Sequence, residues 1–265
     1  MKEGYVALLD VLGFSALVGG DVTGAKVRRY LDCLQGASLE RRVDYVVFSD
    51  SIVLTAKGES AESLLAVAGT CSRLLVDLLN EGIPLRGAIA FGGFVREALG
   101  QSVFVAGRAV IEAYQFEQQQ DWIGVMLAPS AVAQVPDLID RCRLPGDGVA
   151  MTFNDVEARY PWPAFIQRCR NIPFHQSGAF EPSVFDGFAV VPTKGSVDAG
   201  QIRDSLKAAM ERLAWLRVLA PTPSSQRKYQ LTREWLHPIQ GRWHDIAYEK
   251  ERAGGDGEHK ANLLE

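Results

Sequence analysis

The sequence predicts an α+β fold in which helices cover a mainly antiparallel sheet. Three observations lead there. An almost unbroken apolar strand pattern, YVALLDVL over Tyr5–Leu12, stands near the N-terminus. Two more strand patterns, Val43–Phe48 and Ser51–Ala56, are separated only by Ser49 and Asp50, which predicts a tight hairpin. Helical and strand patterns otherwise alternate, in the order β-α-β-β-α-β-α-β.

After the first strand, Gly24–Gln35 reads as a helix because Val27, Tyr30, Leu31 and Leu34 recur on one face. Ser60–Asn80 is a long amphipathic helix, opened by Ser60-Ala61-Glu62-Ser63 and stopped by Glu81-Gly82. Leu85–Phe91 is a strand ended by Gly92-Gly93. Phe104–Gln119 opens with Ala106-Gly107 and turns helical, and Ile123–Leu127 is a short strand. Beyond Pro129, turn signals fall at Pro145-Gly146-Asp147-Gly148 and Tyr160-Pro161-Trp162-Pro163. Phe185–Val191 predicts a late strand. Gln201–Leu219 predicts a helix with Ile202, Leu206, Met210, Leu213, Trp215 and Leu216 apolar, and Lys228–Tyr248 a more polar helical stretch. Arg252–Lys260 is rich in glycine and charge and reads as a frayed tail. The division expected is a core over 1–130, its continuation over 131–250, and a flexible tail over 251–265.

Composition narrows the function. A chain of 265 residues with 47% hydrophobic and 23% charged residues fits one large globular domain and excludes the disordered and membrane classes. No apolar run approaches the roughly 20 residues of a spanning helix, and the N-terminus lacks the features of a signal peptide, so the cytoplasm is expected. A net charge of -4 argues against broad nucleic-acid binding and for a small partner. Cys33, Cys71, Cys142 and Cys169 have neither the spacing of a zinc site nor that of a disulfide framework. His237 and His244 stand seven apart, with no acid or cysteine to complete a metal set.

The chemistry-bearing residues are two acids. Asp10 interrupts a strand that otherwise reads as buried, and Asp50 occupies the hairpin tip, where aspartate also suits turn geometry. Burying a lone carboxylate is expensive, so two of them at strand ends suggest a divalent cation between them.

The series LDVLGFS, FSDSIVL, LRGAIAFGG and VAGRAVIEAYQFE resembles, in order and spacing over about residues 5–130, the catalytic domain of class III nucleotidyl cyclases. The resemblance implies a ferredoxin-like βαββαβ core, here with a helical C-terminal extension. The chain departs from the family in placing Ile111 and Gln115 where the transition-state Asn and Arg stand, and Ser49 where the hairpin has glycine. FSDSI, LRGAIA and the Ala-Tyr-x-x-Glu helix end are more similar to the pyrimidine cyclases of bacterial Pycsar anti-phage defence.

That resemblance implies conversion of UTP, or alternatively CTP, into a 3',5'-cyclic monophosphate and pyrophosphate. It also implies two Mn2+ or Mg2+ ions per site, a homodimer with two shared sites, and a separate effector activated by the cyclic nucleotide. Asp10, Asp50 and the Val11 carbonyl are then the metal ligands, and the backbone around Gly13, Phe14 and Ser15 receives phosphate. Arg108 is the first candidate to stabilise transition-state charge, since it shares a helix face with Ile111 and Gln115. Arg86 contacts substrate or supports Asp50, Tyr45 reads the base, and Lys194 reaches phosphate. An inactive cyclase-fold sensor or dimerisation module and a purine cyclase remain the alternatives; the absence of lysine from Val43–Phe48 tells against the latter.

Overall fold

The computed structural model describes residues 1–37, 43–100, 102–135 and 199–234, with short stretches at 150–151, 189–190, 236–237 and 240–241 and the single residue 248. The chain runs β1 (Lys2–Val11), α1 (Phe14–Gly20), α2 (Ala25–Ala37), β2 (Asp44–Phe48), β3 (Ser51–Lys57), α3 (Ala61–Asn80), β4 (Leu85–Leu99), β5 (Ser102–Gly107), α4 (Arg108–Gln119), β6 (Gly124–Leu127) and α5 (Pro129–Gln134). Strands β7 (Ala150–Met151) and β8 (Ala189–Val190), then helix α6 (Ala199–Leu219), follow. A further helical segment, α7, covers residues 223–234.

Strands β2, β3, β1 and β4 lie side by side in that order, each antiparallel to its neighbour, with helices in both crossovers. This is the ferredoxin-like βαββαβ arrangement, and the fold is α+β as expected. The far edge of β4 is shared. Its first residues, Arg86 to Ile89, pair in parallel with β6, and its later ones, Phe94 to Leu99, pair antiparallel with β5.

Strand register assigns the side chains to two faces, because directly paired residues point the same way and neighbours alternate. Tyr5, Ala7, Leu9 and Val11 of β1, with Ile52, Leu54 and Ala56 of β3, join Leu64, Cys71, Leu74, Leu75 and Leu78 of α3 in one buried core. Burying each large side chain there is worth about 1.5–3 kcal/mol. Helix α3 starts where its sequence predicts, with the Ser60 hydroxyl accepting from the Ser63 amide at 3.3 Å and Glu62 in the first turn. Helix α4 lies on the opposite face, where Ala109 packs with Val6 and Phe94.

Two expectations about this region are corrected. Gly92-Gly93 does not end the strand, which runs on to Leu99, and Ser102–Gly107 forms a strand of its own before the helix. Gly107 marks a close approach of backbones. A side chain on Gly107 would collide with the Gly93 carbonyl and the Phe94 backbone, and Gly107 has a φ of 148°.

The C-terminal helices close the molecule from the outside. Leu213 and Leu216 of α6 enter the core, and Arg212 donates to the Asn80 carbonyl at the end of α3 while lying 5.4 Å over the Trp215 ring. Thr232 of α7 accepts from the Ile123 amide at 2.8 Å. The described part of the expected late strand is Ala189–Val190, which pairs with Ala150–Met151 in a separate two-stranded sheet. Among the described residues no helix is long and apolar enough to cross a membrane.

Candidate active site

The two acids singled out by the sequence lie at one end of the sheet. Asp10 is the penultimate residue of β1 and stands opposite Ser51 of β3 and Arg86 of β4. Asp50 closes a two-residue turn, flanked by the pair Phe48 and Ser51. The end of β1 is bonded directly to that turn, for the Val11 amide donates to the Asp50 carbonyl at 3.0 Å.

Ser49, the other turn residue, has a φ of 58°, in the left-handed region that a non-glycine residue adopts at a cost. Tyr30 of α2 holds it there: its hydroxyl donates to the Ser49 carbonyl at 3.3 Å, and its ring meets Phe14 edge-on at 5.5 Å. Burial, with the Asp50 charge nearby, pushes the Tyr30 hydroxyl up to about 12, so it stays a donor at ordinary pH.

Gly13 caps α1 with a φ of 76°, which glycine takes without strain. The amides of Phe14 and Ser15 begin that helix, where no intrahelical acceptor exists. Gly13 and Ser15 are exposed and Phe14 is half-buried. The segment therefore presents backbone donors directly after the Asp10–Val11 strand end.

Arg86 is not free to meet a ligand with its whole guanidinium. Its Nε donates to Asp10 Oδ2 at 3.3 Å and stands 2.7 Å from Glu117 Oε1, while its Nη1 donates to the Gln120 carbonyl at 3.0 Å. The side chain is only 12% exposed. The expectation that it supports Asp50 is replaced by a pairing with Asp10, its direct cross-strand neighbour.

Glu117, on the buried stripe of α4 with Ala109, Ala113 and Phe116, is pushed toward the neutral form by burial and pulled back by Arg86. Lys228 of α7 faces the same cluster. Its ammonium is pushed down by burial and by Arg86, and held up by Asp121, Asp10 and Glu117.

Register separates Tyr45 from these residues. It stands opposite Leu54, on the face that carries Ile52 and Leu9 against α3, whereas Asp10 and Arg86 lie on the other. Tyr45 is 40% exposed at the edge strand, so the structure does not bring it to the acids. The half-buried residues that share the face of Asp10 near the hairpin are Leu8, Val46, Ser51 and Val53.

Arg108 opens α4 and is exposed, as are Ile111 and Gln115. Glu117 lies nine residues further along, roughly 13 Å at the rise of a helix. Arg108 thus stands away from Asp10 within one protomer. Lys194 lies outside the described residues.

The donor set at the sheet end consists of two carboxylates and a backbone carbonyl, all hard oxygens, which fits Mg2+ or Mn2+ rather than a metal that prefers nitrogen or sulfur. Asp10 retains Oδ1, and among the described residues Asp50 makes no ion pair. Among the described residues no group of three or more His, Cys, Asp or Glu side chains gathers that could hold a metal ion.

No protein-family model and no curated protein matches the chain. Among solved structures, the chain is similar to the guanylyl cyclase domain of a RhoGC fusion protein from Blastocladiella emersonii, at 12% identity and a TM-score of 0.44 over 52% of this chain and 85% of that one. It is similar to the adenylyl cyclase CyaB from P. aeruginosa at 12% identity and a TM-score of 0.40 over 56% and 88%. A class III adenylyl cyclase-like ATP-binding protein from Pseudomonas aeruginosa matches at 16% identity and a TM-score of 0.41, over 52% of this chain and 36% of that one.

Proposed function

We propose that this chain is a nucleotide cyclase that converts a pyrimidine nucleoside triphosphate, UTP in preference to CTP, into its 3',5'-cyclic monophosphate and pyrophosphate. Its product would serve as a second messenger in bacterial anti-phage defence, read by a separate effector. The observation that carries the reading is the 3.0 Å bond from the Val11 amide to the Asp50 carbonyl, which joins two acid-bearing strand ends beside the Gly13–Ser15 backbone.

Cyclisation needs the ribose 3'-oxygen to attack the α-phosphorus while pyrophosphate departs in line. A bound divalent cation would supply charge stabilisation at both oxygens. Asp10, Asp50 and the Val11 carbonyl would hold it. The first amides of α1 would orient phosphate oxygens, and the half-buried Leu8, Val46 and Val53 would exclude water from the sugar and base. The pyrimidine preference rests on the motif resemblance and on a floor of Val46, Ser51 and Val53 that carries no lysine.

Arg108, exposed at the start of α4 and remote from its own Asp10, supports sites shared across a homodimer, with acids from one protomer and Arg108 from its partner. The test is incubation of purified protein with equal UTP, CTP, ATP and GTP and Mn2+. Cyclic UMP as the main product is expected. A dominant purine product would overturn the substrate assignment, and saturable triphosphate binding with no product would point instead to a sensor, the reading that Ile111 and Gln115 favour.

A further inference from the structure

We infer that Glu117, acting through Arg86, is a positioning residue that fixes the orientation and effective charge of Asp10 for cation binding; this rests on the metal-site reading proposed above. The starting point is a misplaced charge. Glu117 occupies a core position on α4 and is 1% exposed, between Ala113 and Gln120 on the buried stripe of the helix. A buried carboxylate is retained only where it is paired, and an apolar residue of the same size would serve packing as well or better.

The pairing points toward the site. Glu117 Oε1 lies 2.7 Å from Arg86 Nε, and Glu117 Oε2 accepts from Gln118 Nε2 at 2.7 Å. Arg86 Nε directs its hydrogen to Asp10 Oδ2 at 3.3 Å, and its Nη1 is fixed by the Gln120 carbonyl at 3.0 Å. Gln120 is fixed in turn, its amide donating to the carbonyls of Trp122 and Gly124. Arg86 is thereby held from two directions, and Asp10 is held by Arg86 through one oxygen, leaving Oδ1 for a ligand.

Charge explains why a second carboxylate is useful. Arg86 paired with Asp10 alone would cancel most of the attraction Asp10 has for a cation. Sharing the guanidinium between two carboxylates leaves the triad with a net negative charge while keeping Asp10 oriented. Lys228 also faces the cluster and is held up by Asp10 and Glu117, while Asp121 is ion-paired with Arg227 at 3.1 Å. Carboxylates and cations one layer behind a metal ligand commonly set its affinity by 10-fold to 100-fold.

The test measures Mn2+ binding to the full chain without nucleotide, by the electron paramagnetic resonance of free Mn2+, for the parent, Glu117→Gln, Glu117→Met and Asp50→Asn. The inference predicts that both Glu117 variants bind Mn2+ about tenfold more weakly while their circular dichroism stays that of the folded parent. Glu117→Met guards against a variant that fails merely because its amide is unpaired. If Asp50→Asn loses Mn2+ while both Glu117 variants keep the parent affinity within twofold, the inference fails and the metal site stands. If the parent binds no Mn2+, or Asp50→Asn binds it as the parent does, the metal-site reading fails and takes the inference with it.

Discussion

Asp50 depends on a turn whose first residue is held in an unfavourable conformation, and Tyr30 is the side chain that reaches in to hold it. Removing that hydroxyl in Tyr30→Phe leaves the ring packed on Phe14 and the Ser49 carbonyl short of a donor. The expected loss is about 1 kcal/mol of stability, read as a lower urea midpoint with unchanged slope. Tyr45→Phe, by contrast, should leave the product ratio from mixed triphosphates unchanged, since Tyr45 stands on the face away from Asp10. A shift of more than a few-fold in that ratio would show that the edge strand reads the base after all. At this scale Asp10 was visible because it breaks a buried strand pattern, whereas Asp50 sat where a turn also favours aspartate and Gly13 was marked only by the family resemblance. Glu117 was legible in principle, as an acid on the apolar stripe Ala109-Ala113-Phe116. Lys228 was not, for it reaches Asp10 across more than two hundred residues of chain.

The β2–β3 hairpin and α7 are the elements on which the site leans. A β-branched residue in the left-handed turn position is strained, so Ser49→Val should cost about 1–2 kcal/mol, whereas Ser49→Gly should be tolerated. Comparing the two by denaturant unfolding separates backbone strain from loss of the serine hydroxyl. Thr232→Val keeps the shape of the residue but leaves the buried Ile123 amide without its acceptor, at about 1–3 kcal/mol. Faster hydrogen exchange at Ile123 should accompany it. The element order through α3 was readable because helix and strand periods differ and Ser60 marks a start. Strand β5 was missed because Ser102–Gly107 carries a short pattern that merges with the helix after it. Gly92-Gly93 read as a stop because a glycine pair inside a strand looks in sequence like one that ends it.

For the whole molecule, the distance between Arg108 and Asp10 within one protomer predicts complementation. Mixing Asp50→Asn chains with Arg108→Ala chains should recover part of the lost activity, since some mixed dimers hold one intact site. Subunit exchange confirmed by mass with no recovery would count against Arg108 acting across the dimer. The central claim, that the joined ends of β1 and the hairpin form a cation-dependent cyclase site, is tested most directly on the two acids. Purified parent, Asp10→Asn and Asp50→Asn are incubated with UTP and Mn2+, and cyclic nucleotide and pyrophosphate are quantified alongside the circular dichroism of each protein. The account predicts equal amounts of both products from the parent, none on addition of a chelator, and at least a hundredfold loss in each folded variant, on the order of the change expected when a charge-stabilising group is removed from a reaction centre. Parent-like turnover in either variant would contradict it.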